Sequence, residues 1–260
     1  MNRKFTYFSL TSILLISVAP AYCQTAPAPA KDASAAEAKL PSADEVADKF
    51  AKASGGKEAW AKVQSMVMTG TVEIPTFRVS GKMEILAKRP NKILRTTSVM
   101  DGQFVHKEGF DGQAGWISDP QTGLKPMKGA ELEQAKVETI FDSDVRLKEV
   151  YPDLKVTGRT KLGDRDAITA VGHEPGGKTV TMYFDEKSGL RLAEDSEGPD
   201  ESGAVVKANV VFEDYRAAGD LQLAHKIRIT APNITLVIQV EDVKLNEPVD
   251  DAKFAMPAAN

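Results

Sequence analysis

The sequence predicts an α+β fold in which helices cover the apolar face of one large, curled antiparallel sheet. Most of its second half alternates apolar and polar residues with a period of two, as strands with one buried face do. About nine or ten such strands follow one another through short turns. A sheet with one apolar face must cover it, and a few helical segments are available. Besides the hairpin described next, strands are expected at residues 66–74, 154–162, 180–184, 190–192, 206–213, 221–229 and 234–240.

The clearest one-sided strand lies between residues 77 and 88. Its alternate positions are polar except for Leu86. Pro90 cannot donate a backbone hydrogen bond and holds Arg89 extended, so the strand is expected to end there. An apolar run restarts at Ile93, which predicts a hairpin. The apolar positions of the first strand are Phe77, Val79, Gly81, Met83, Ile85 and Ala87.

Three segments favour helix. Ser42 and Glu45 have the spacing of a capping box at the start of the first, which Gly55-Gly56 ends. A second, of one or two turns, is expected at residues 57–63. Apolar residues recur at helical spacing through residues 129–150. This third segment is interpreted as a helical insertion between two blocks of strands.

The N-terminus has the three regions of a secretory signal peptide, namely basic residues, an apolar stretch over residues 5–18 and small residues before Cys23. The apolar stretch is too short to span a membrane. Cleavage is expected after Cys23 or after Ala21. A lipoprotein signal would place a small residue before the cysteine, and Tyr22 stands there, so removal and lipidation of Cys23 both stay open. Export to the periplasm is expected.

Composition sets the expected domain organisation. A signal peptide over residues 1–23 precedes a flexible Ala/Pro-rich spacer over residues 24–41 that has little to bury. Residues 42–260 contain no repeat and no further linker, which predicts a single domain.

The formal net charge of −4 becomes more negative by two when the signal peptide leaves, which argues against nucleic-acid binding. Cys23 is the only cysteine, so the remaining chain has no thiolate metal site.

No catalytic motif is present. The three histidines are far apart, without metal-ligand spacing, and neither a G-x-S-x-G elbow nor a P-loop occurs. His225 shares the apolar parity of its strand and is interpreted as a core histidine with a partner. The chain is therefore expected not to be an enzyme and to hold no metal or cofactor.

Two residue types have two interpretations each. Met66, Met68 and Met83 lie on apolar parities and are either core residues or the adaptable lining of an apolar groove. Arg89 is either a solvated strand end or a long cation that reaches a lid. In the second case its planar guanidinium should meet backbone carbonyls or a carboxylate of the helices.

Three motifs carry a resemblance. They are the strand ending in Arg89-Pro90-Asn91 with an apolar residue at 93, Asp111-Gly112 followed by Trp116 and Pro120, and residues 245–254 closed by Pro257. In this order, they make residues 43–257 resemble the periplasmic lipoprotein-carrier (LolA/LolB-like) family. Residues 55–60, Gly-Gly-Lys-Glu-Ala-Trp, are similar to a bacterial branch of it.

The resemblance implies a half-open antiparallel β-barrel whose concave, apolar face binds acyl chains beneath a helical lid. In the carrier, the arginine before the proline hydrogen-bonds to the lid and controls whether the lid is open or closed. Arg89 matches that arginine, and Ile93 matches an apolar position that is aromatic in the carrier. This chain departs in its long spacer, its longer and more charged helices at 129–150, and its extended second strand block. These departures leave cargo and transfer partners open.

The expected function is that of a periplasmic carrier or sensor of lipid or lipoprotein acyl chains. The alternative is a non-catalytic scaffold or interaction domain of the cell envelope, with a filled barrel. Expected partners are the acyl chain, an envelope protein and, transiently, the membrane; the chain is expected to be a monomer. The expected ligand-binding residues are Met66, Met68, Met83, Ile85, Arg89, Ile93, Trp116, Leu236 and Ile238.

Overall fold

The computed structural model describes residues 39–174, 177–199 and 204–258. The predicted signal peptide and nearly all of the predicted spacer lie outside the described residues. Within the described ranges, no helix is long and apolar enough to cross a membrane.

The described strands form a single antiparallel sheet, which confirms the predicted fold class. It has 13 strands, more than the nine or ten that the sequence predicts, and no strand was expected at residues 104–110, 115–119, 123–126 or 165–173. The strands are β1 Ser65–Ile74, β2 Val79–Lys88, β3 Lys92–Val99, β4 Phe104–Phe110, β5 Gly115–Asp119, β6 Gly123–Pro126, β7 Lys155–Leu162, β8 Arg165–His173, β9 Thr179–Asp185, β10 Arg191–Pro199, β11 Val205–Ala218, β12 Leu221–Ala231 and β13 Ile234–Leu245.

The order of the strands divides the sheet into two meanders. One runs from β1 out to β6 and the other from β13 back to β7, and pairing of β1 with β13 joins them. The strands β6 and β7 are the two edges, so the sheet is open. Residues 127–154, which connect β6 to β7 in the chain, therefore pass from one edge of the sheet to the other.

Helices cover one face of this sheet, which we call the inner face. They are α1 Ala43–Ala53, α2 Lys57–Ala61, α3 Gly129–Glu138 and α4 Leu147–Val150. The predicted capping box begins α1, with Ser42 Oγ accepting from Glu45 N at 3.2 Å and Glu45 Oε2 accepting from Ser42 N at 2.7 Å. Three-residue 3₁₀ turns lie at Pro75–Phe77, Ser143–Val145 and Asp251–Lys253.

The predicted insertion at 129–150 is α-helical only at its two ends, with the 3₁₀ turn Ser143–Val145 between them. We call residues 129–150 the lid, and residues 141–145 between α3 and α4 the lid turn. The helix α3 ends at Glu138, and three residues later Phe141 N donates to Pro90 O (3.1 Å) in the β2–β3 hairpin. The lid is thus interrupted where it meets the hairpin.

Apolar clusters lie on both faces of the sheet. A strand cluster on the inner face contains Val72, Met83, Val99, Leu236 and Ile238 without any helical residue. The outer face has its own cluster, where Leu86 packs with Val249 and Phe254 of the C-terminal segment, residues 246–258. This cover explains why Leu86 is apolar on an otherwise polar parity.

Candidate functional site

Arg89 joins the hairpin to two helical elements. Its guanidinium donates through Nε to Val63 O at 2.7 Å and through Nη2 to Trp60 O at 2.8 Å. The remaining nitrogen, Nη1, donates to Asp142 Oδ2 in the lid turn at 2.7 Å. The guanidinium also lies 5.0 Å from the ring centroid of Phe141. The contacts with carbonyls and a lid carboxylate that a latch requires are therefore present.

The carboxylate of Asp142 is held ionised by its surroundings. Burial would raise the pKa of this side chain, which is 14% exposed, but hydrogen bonds and charges from Arg89 and Arg146 outweigh burial and lower it. Arg146 reaches Asp142 Oδ1 at 3.4 Å from the lid itself. The lid turn thus presents a negative charge to the hairpin, where Arg89 binds it.

A second arginine binds the same turn from the other half of the sheet. Arg191 of β10 donates through Nη2 to Asp144 Oδ1 at 3.3 Å and through Nη1 to Glu194 Oε2 at 3.1 Å. The rings of Phe50 and Phe212 lie 5.5 and 4.5 Å from its guanidinium carbon. Burial would lower the pKa of Arg191, but the carboxylates Glu194 and Asp144 raise it above its usual value, so the group stays charged.

The lid turn also contributes apolar groups to the inner face. Val145 is 7% exposed and packs in a cluster with Trp60, Met66 and Leu221. Phe141 is partly buried against the same cluster, with its ring edge-on to Trp60 at a centroid distance of 6.3 Å. Aspartate and apolar residues of one short turn therefore fill neighbouring parts of the inner face.

Glu138, the last residue of α3, is a polar group of the lid whose side chain is only 14% exposed. It accepts from Gln134 Nε2 at 2.6 Å and lies 3.6 Å from the Lys178 ammonium, which also meets Glu174 at 3.0 Å. Burial raises the pKa of Glu138 to about 7, against the opposing effects of Lys178 and Arg95. The inner face under the lid thus carries ionic groups, whereas the sequence predicts an apolar face.

Seven of the nine predicted ligand-binding residues lie on the inner face in three neighbouring clusters. Met68 belongs to two of them, because it packs against both the strand cluster and the cluster around Trp60. Ile93 packs under α3 with Phe110. Arg89 is the eighth and lies at the rim. The other six inner-face residues are Met66, Met68, Met83, Ile85, Leu236 and Ile238.

Trp116 is a correction to the predicted site. Its neighbour Ile117 packs under α3 on the inner face, and successive side chains of a strand point to opposite faces, so Trp116 lies on the outer face. There it is 2% exposed and its indole donates to Phe254 O at 2.8 Å. Trp116 therefore anchors the C-terminal segment rather than facing the lid.

A cavity of about 430 Å³ lies beside α1, within the range of ligand pockets. None of the nine predicted residues is among those that line it. Its apolar wall includes Phe184, which packs on Phe50 at 5.2 Å between ring centroids, and Phe50 in turn packs on Arg191. The lining residues are Lys39, Leu40, Pro41, Glu45, Val46, Lys49, Arg159, Ile168, Phe184, Asp185, Glu186 and Gly189.

No family model and no curated protein matches this sequence. Solved structures do match. A DUF1329 family protein from Desulfovibrio piger is 12% identical with a TM-score of 0.57, over 82% of this chain and 96% of that one. A LolA superfamily protein from Nitrosomonas europaea is 11% identical with a TM-score of 0.54, over 83% and 98%.

The chain has a LolA-like fold. A domain of the outer membrane lipoprotein-sorting type from Vibrio parahaemolyticus has the same fold, at 12% identity and a TM-score of 0.54, over 81% of this chain and 94% of that one. The resemblance inferred from three short motifs therefore identified the fold correctly. In this LolA-like fold, the arginine before the proline lies between hairpin and lid, as the resemblance implies.

Sequence reasoning missed Arg191, Asp142, Asp144 and Glu138. The motif around Pro90 singled out Arg89, whereas the partner aspartates lie in a turn interpreted as helix. A signal for them existed in the two aspartates spaced by one serine within an otherwise amphipathic segment. His225, by contrast, is 6% exposed with Nδ1 2.9 Å from Leu223 O, which confirms a core histidine with a partner.

Proposed function

We propose that this protein is a periplasmic carrier or sensor that binds an apolar ligand, lipid or lipoprotein acyl chains, between the inner face and the lid. The observation that supports it best is the set of three hydrogen bonds of Arg89, which tie the hairpin to α2 and to the lid turn. Because these hydrogen bonds lie at the rim of the sheet, the lid can open when they break and close when they form without unfolding of the sheet. The function needs no catalytic residue.

The binding surface in this proposal is the apolar part of the inner face. Lifting the lid turn uncovers the cluster around Met66, from which Phe141 and Val145 withdraw. Met68 then connects this surface to the strand cluster, and a methionine adapts to chains of different shape. In this function the protein works in the periplasm as a monomer, with an envelope protein or the membrane as the source of the ligand.

A scaffold or interaction domain of the envelope is the second candidate. It is favoured by the packing of the inner face, where Met66, Met83 and Ile238 are each 5–6% exposed. In the scaffold, the lid turn fills the half-barrel permanently. In the carrier, the same packing is the closed, empty state.

Lipid binding distinguishes the two. The protein, delipidated under denaturing conditions and refolded, is titrated with a neutral fluorescent probe of apolar sites, N-phenyl-1-naphthylamine, and the probe is displaced with fatty acids and lipopeptides. The carrier predicts saturable binding near one ligand per chain and displacement by acyl chains. Absence of saturable binding, with a native circular dichroism spectrum, would reject the carrier and leave the scaffold.

A further inference from the structure

Arg191 has an incomplete set of hydrogen bonds although its side chain is only 19% exposed. Its Nη1 is bound to Glu194, a neighbour on its own strand. Its Nη2 meets Asp144 at a long 3.3 Å, and its buried Nε has no partner among the described residues. The Nε and Nη2 groups form one edge of the guanidinium, the edge that binds both oxygens of a carboxylate or phosphate.

The contact between Asp144 and this edge is therefore replaceable. A single oxygen at 3.3 Å uses half of a site that could make two shorter, charge-assisted bonds. The stacked rings of Phe50 and Phe212 fix the plane of the guanidinium, so its free edge keeps its direction. This edge of the guanidinium is held in one orientation and has one donor without a partner among the described residues, so it is suited to bind an anion.

The lid turn has the chemistry of an anionic amphiphile. It places the carboxylates of Asp142 and Asp144 on two arginines and the side chains of Phe141 and Val145 in an apolar cluster. When the turn lifts, the hydrogen-bond partners that remain among the described residues are two neutral carbonyls for Arg89 and the carboxylate of Glu194 for Arg191. The opened inner face then has one more positive charge than negative charge at these two positions.

We propose that the ligand carries an anionic group, a carboxylate or a phosphate, which replaces Asp144 on the Nε and Nη2 edge of Arg191 when the lid opens. This inference rests on the proposed function and names its ligand class. The apolar chain of the ligand replaces Phe141 and Val145. The lid turn is then an internal competitor that the ligand displaces, and it returns when the ligand leaves.

The test compares lipids that share an apolar chain and differ in whether the headgroup is anionic or neutral. Oleate and oleyl alcohol differ by a carboxylate against a hydroxymethyl group, and 1-oleoyl lysophosphatidic acid and monoolein share an oleoyl glycerol and differ by a phosphate, so the two pairs separate a carboxylate source from a phosphate source. Each lipid displaces N-phenyl-1-naphthylamine from the full chain below its aggregation concentration. We expect at least one anionic lipid to displace the probe at a concentration about tenfold lower than its neutral counterpart.

Variants assign this preference to the edge of Arg191. Arg191→Gln is expected to reduce the anion-to-neutral ratio to about one. Asp144→Asn removes the competing charge and is expected to raise the ratio severalfold. The matched control is Arg216→Gln, whose side chain is 54% exposed and pairs with Asp214 on the surface, and it should keep the wild-type ratio.

The outcomes separate two failures. Failure of the probe and all four lipids to bind would reject the proposed function together with this inference. Binding with equal affinity for charged and neutral lipids would reject the inference alone. If Arg191→Gln does not fold by circular dichroism, Asp144→Asn decides, and an unchanged or lower ratio in that variant overturns the proposal.

Discussion

At the scale of single residues, Arg89 holds together three parts of the chain that are distant in sequence. Arg89→Leu removes three charge-assisted hydrogen bonds and leaves Asp142, 14% exposed, without this partner. Loss of one side of such a pair costs about 3 kcal/mol. We expect hydrogen exchange of backbone amides in the lid to accelerate by about two orders of magnitude, measured by mass spectrometry.

The control for this prediction is Arg216→Leu, which removes an exposed arginine from an ion pair on β11. It should leave exchange in the lid unchanged. Equal protection of residues 129–150 in Arg89→Leu and in the wild type would show that the arginine is a strand end and not a latch.

Glu138 predicts a pH dependence of stability. Its folded pKa is about 7 against an ordinary value of 4.5, so the folded state holds a proton that the unfolded state has lost between these pH values. The stabilisation is fully present below pH 4.5 and is lost as the pH rises through 7, by about 3 kcal/mol in total. The groups that face Glu138 are Gln134, Lys178, Glu174 and Arg95.

Urea unfolding at pH 4.5 to 8 measures this effect. Glu138→Gln cannot ionise and should flatten the decline across that window. Glu149→Gln, an exposed lid glutamate with 64% side-chain exposure, should keep the wild-type slope. Parallel curves for the wild type and Glu138→Gln would contradict the raised pKa.

Arg191 shows why one residue of the site could not be predicted. The apolar residues Leu190 and Leu192 place Arg191 on the polar parity of a regular strand. A register shift between Arg191 and Ala193 interrupts the alternation, and the guanidinium lies on the inner face beside Phe50. The position of Arg89 at the end of its strand could be predicted, because the following proline fixes that end independently of side-chain parity, whereas its contact with the lid was implied by the family resemblance.

At the scale of elements, the C-terminal segment is an outer-face cover and not a loose tail. Phe254 is fully buried against Leu86 and Val249, and its carbonyl accepts from the Trp116 indole. Phe254→Ala should lower the free energy of unfolding by about 3–5 kcal/mol. Met256→Ala, two residues away and 42% exposed, should change it by less than about 0.5 kcal/mol.

Chemical denaturation checks both variants. Similar, small changes in the free energy of unfolding for both variants would mean that the C-terminal segment leaves the sheet readily.

This cover by the C-terminal segment also explains why β5 was not predicted. Its residues are buried on both faces, by α3 inside and by the C-terminal segment outside, so the period-two pattern that reveals a strand is missing.

At the scale of the whole molecule, pairing of β1 with β13 joins the two halves of the sheet. Gly70 lies at a bulge in this pairing, and a Cβ there would come 2.0 Å from Gln239 O. Gly70→Ala should therefore destabilise the protein by about 2–4 kcal/mol, because the backbones must separate. Gly158→Ala, at an edge-strand glycine with nothing within 4 Å of such a Cβ, is the matched control.

Thermal unfolding is the measurement, with a clearly lower midpoint for Gly70→Ala and little change for Gly158→Ala. Similar midpoints would mean that the pairing of β1 with β13 accommodates the added methyl group without loss of stability. The partnership of β1 with β13 was beyond sequence reasoning. Alternation identifies each strand from local residues, but no local pattern states which of two strands far apart in the chain lie side by side.

The path of residues 127–154 from one edge of the sheet to the other has a consequence for how the chain could be divided. A single cut in the lid turn would give two polypeptides, one with β1–β6 and the other with β7–β13, and no strand would be broken. The ladder between β1 and β13 would remain as their interface. The protein is therefore suited to fragment complementation, in which two separately made pieces reassemble into one sheet and lid closure reports on their association.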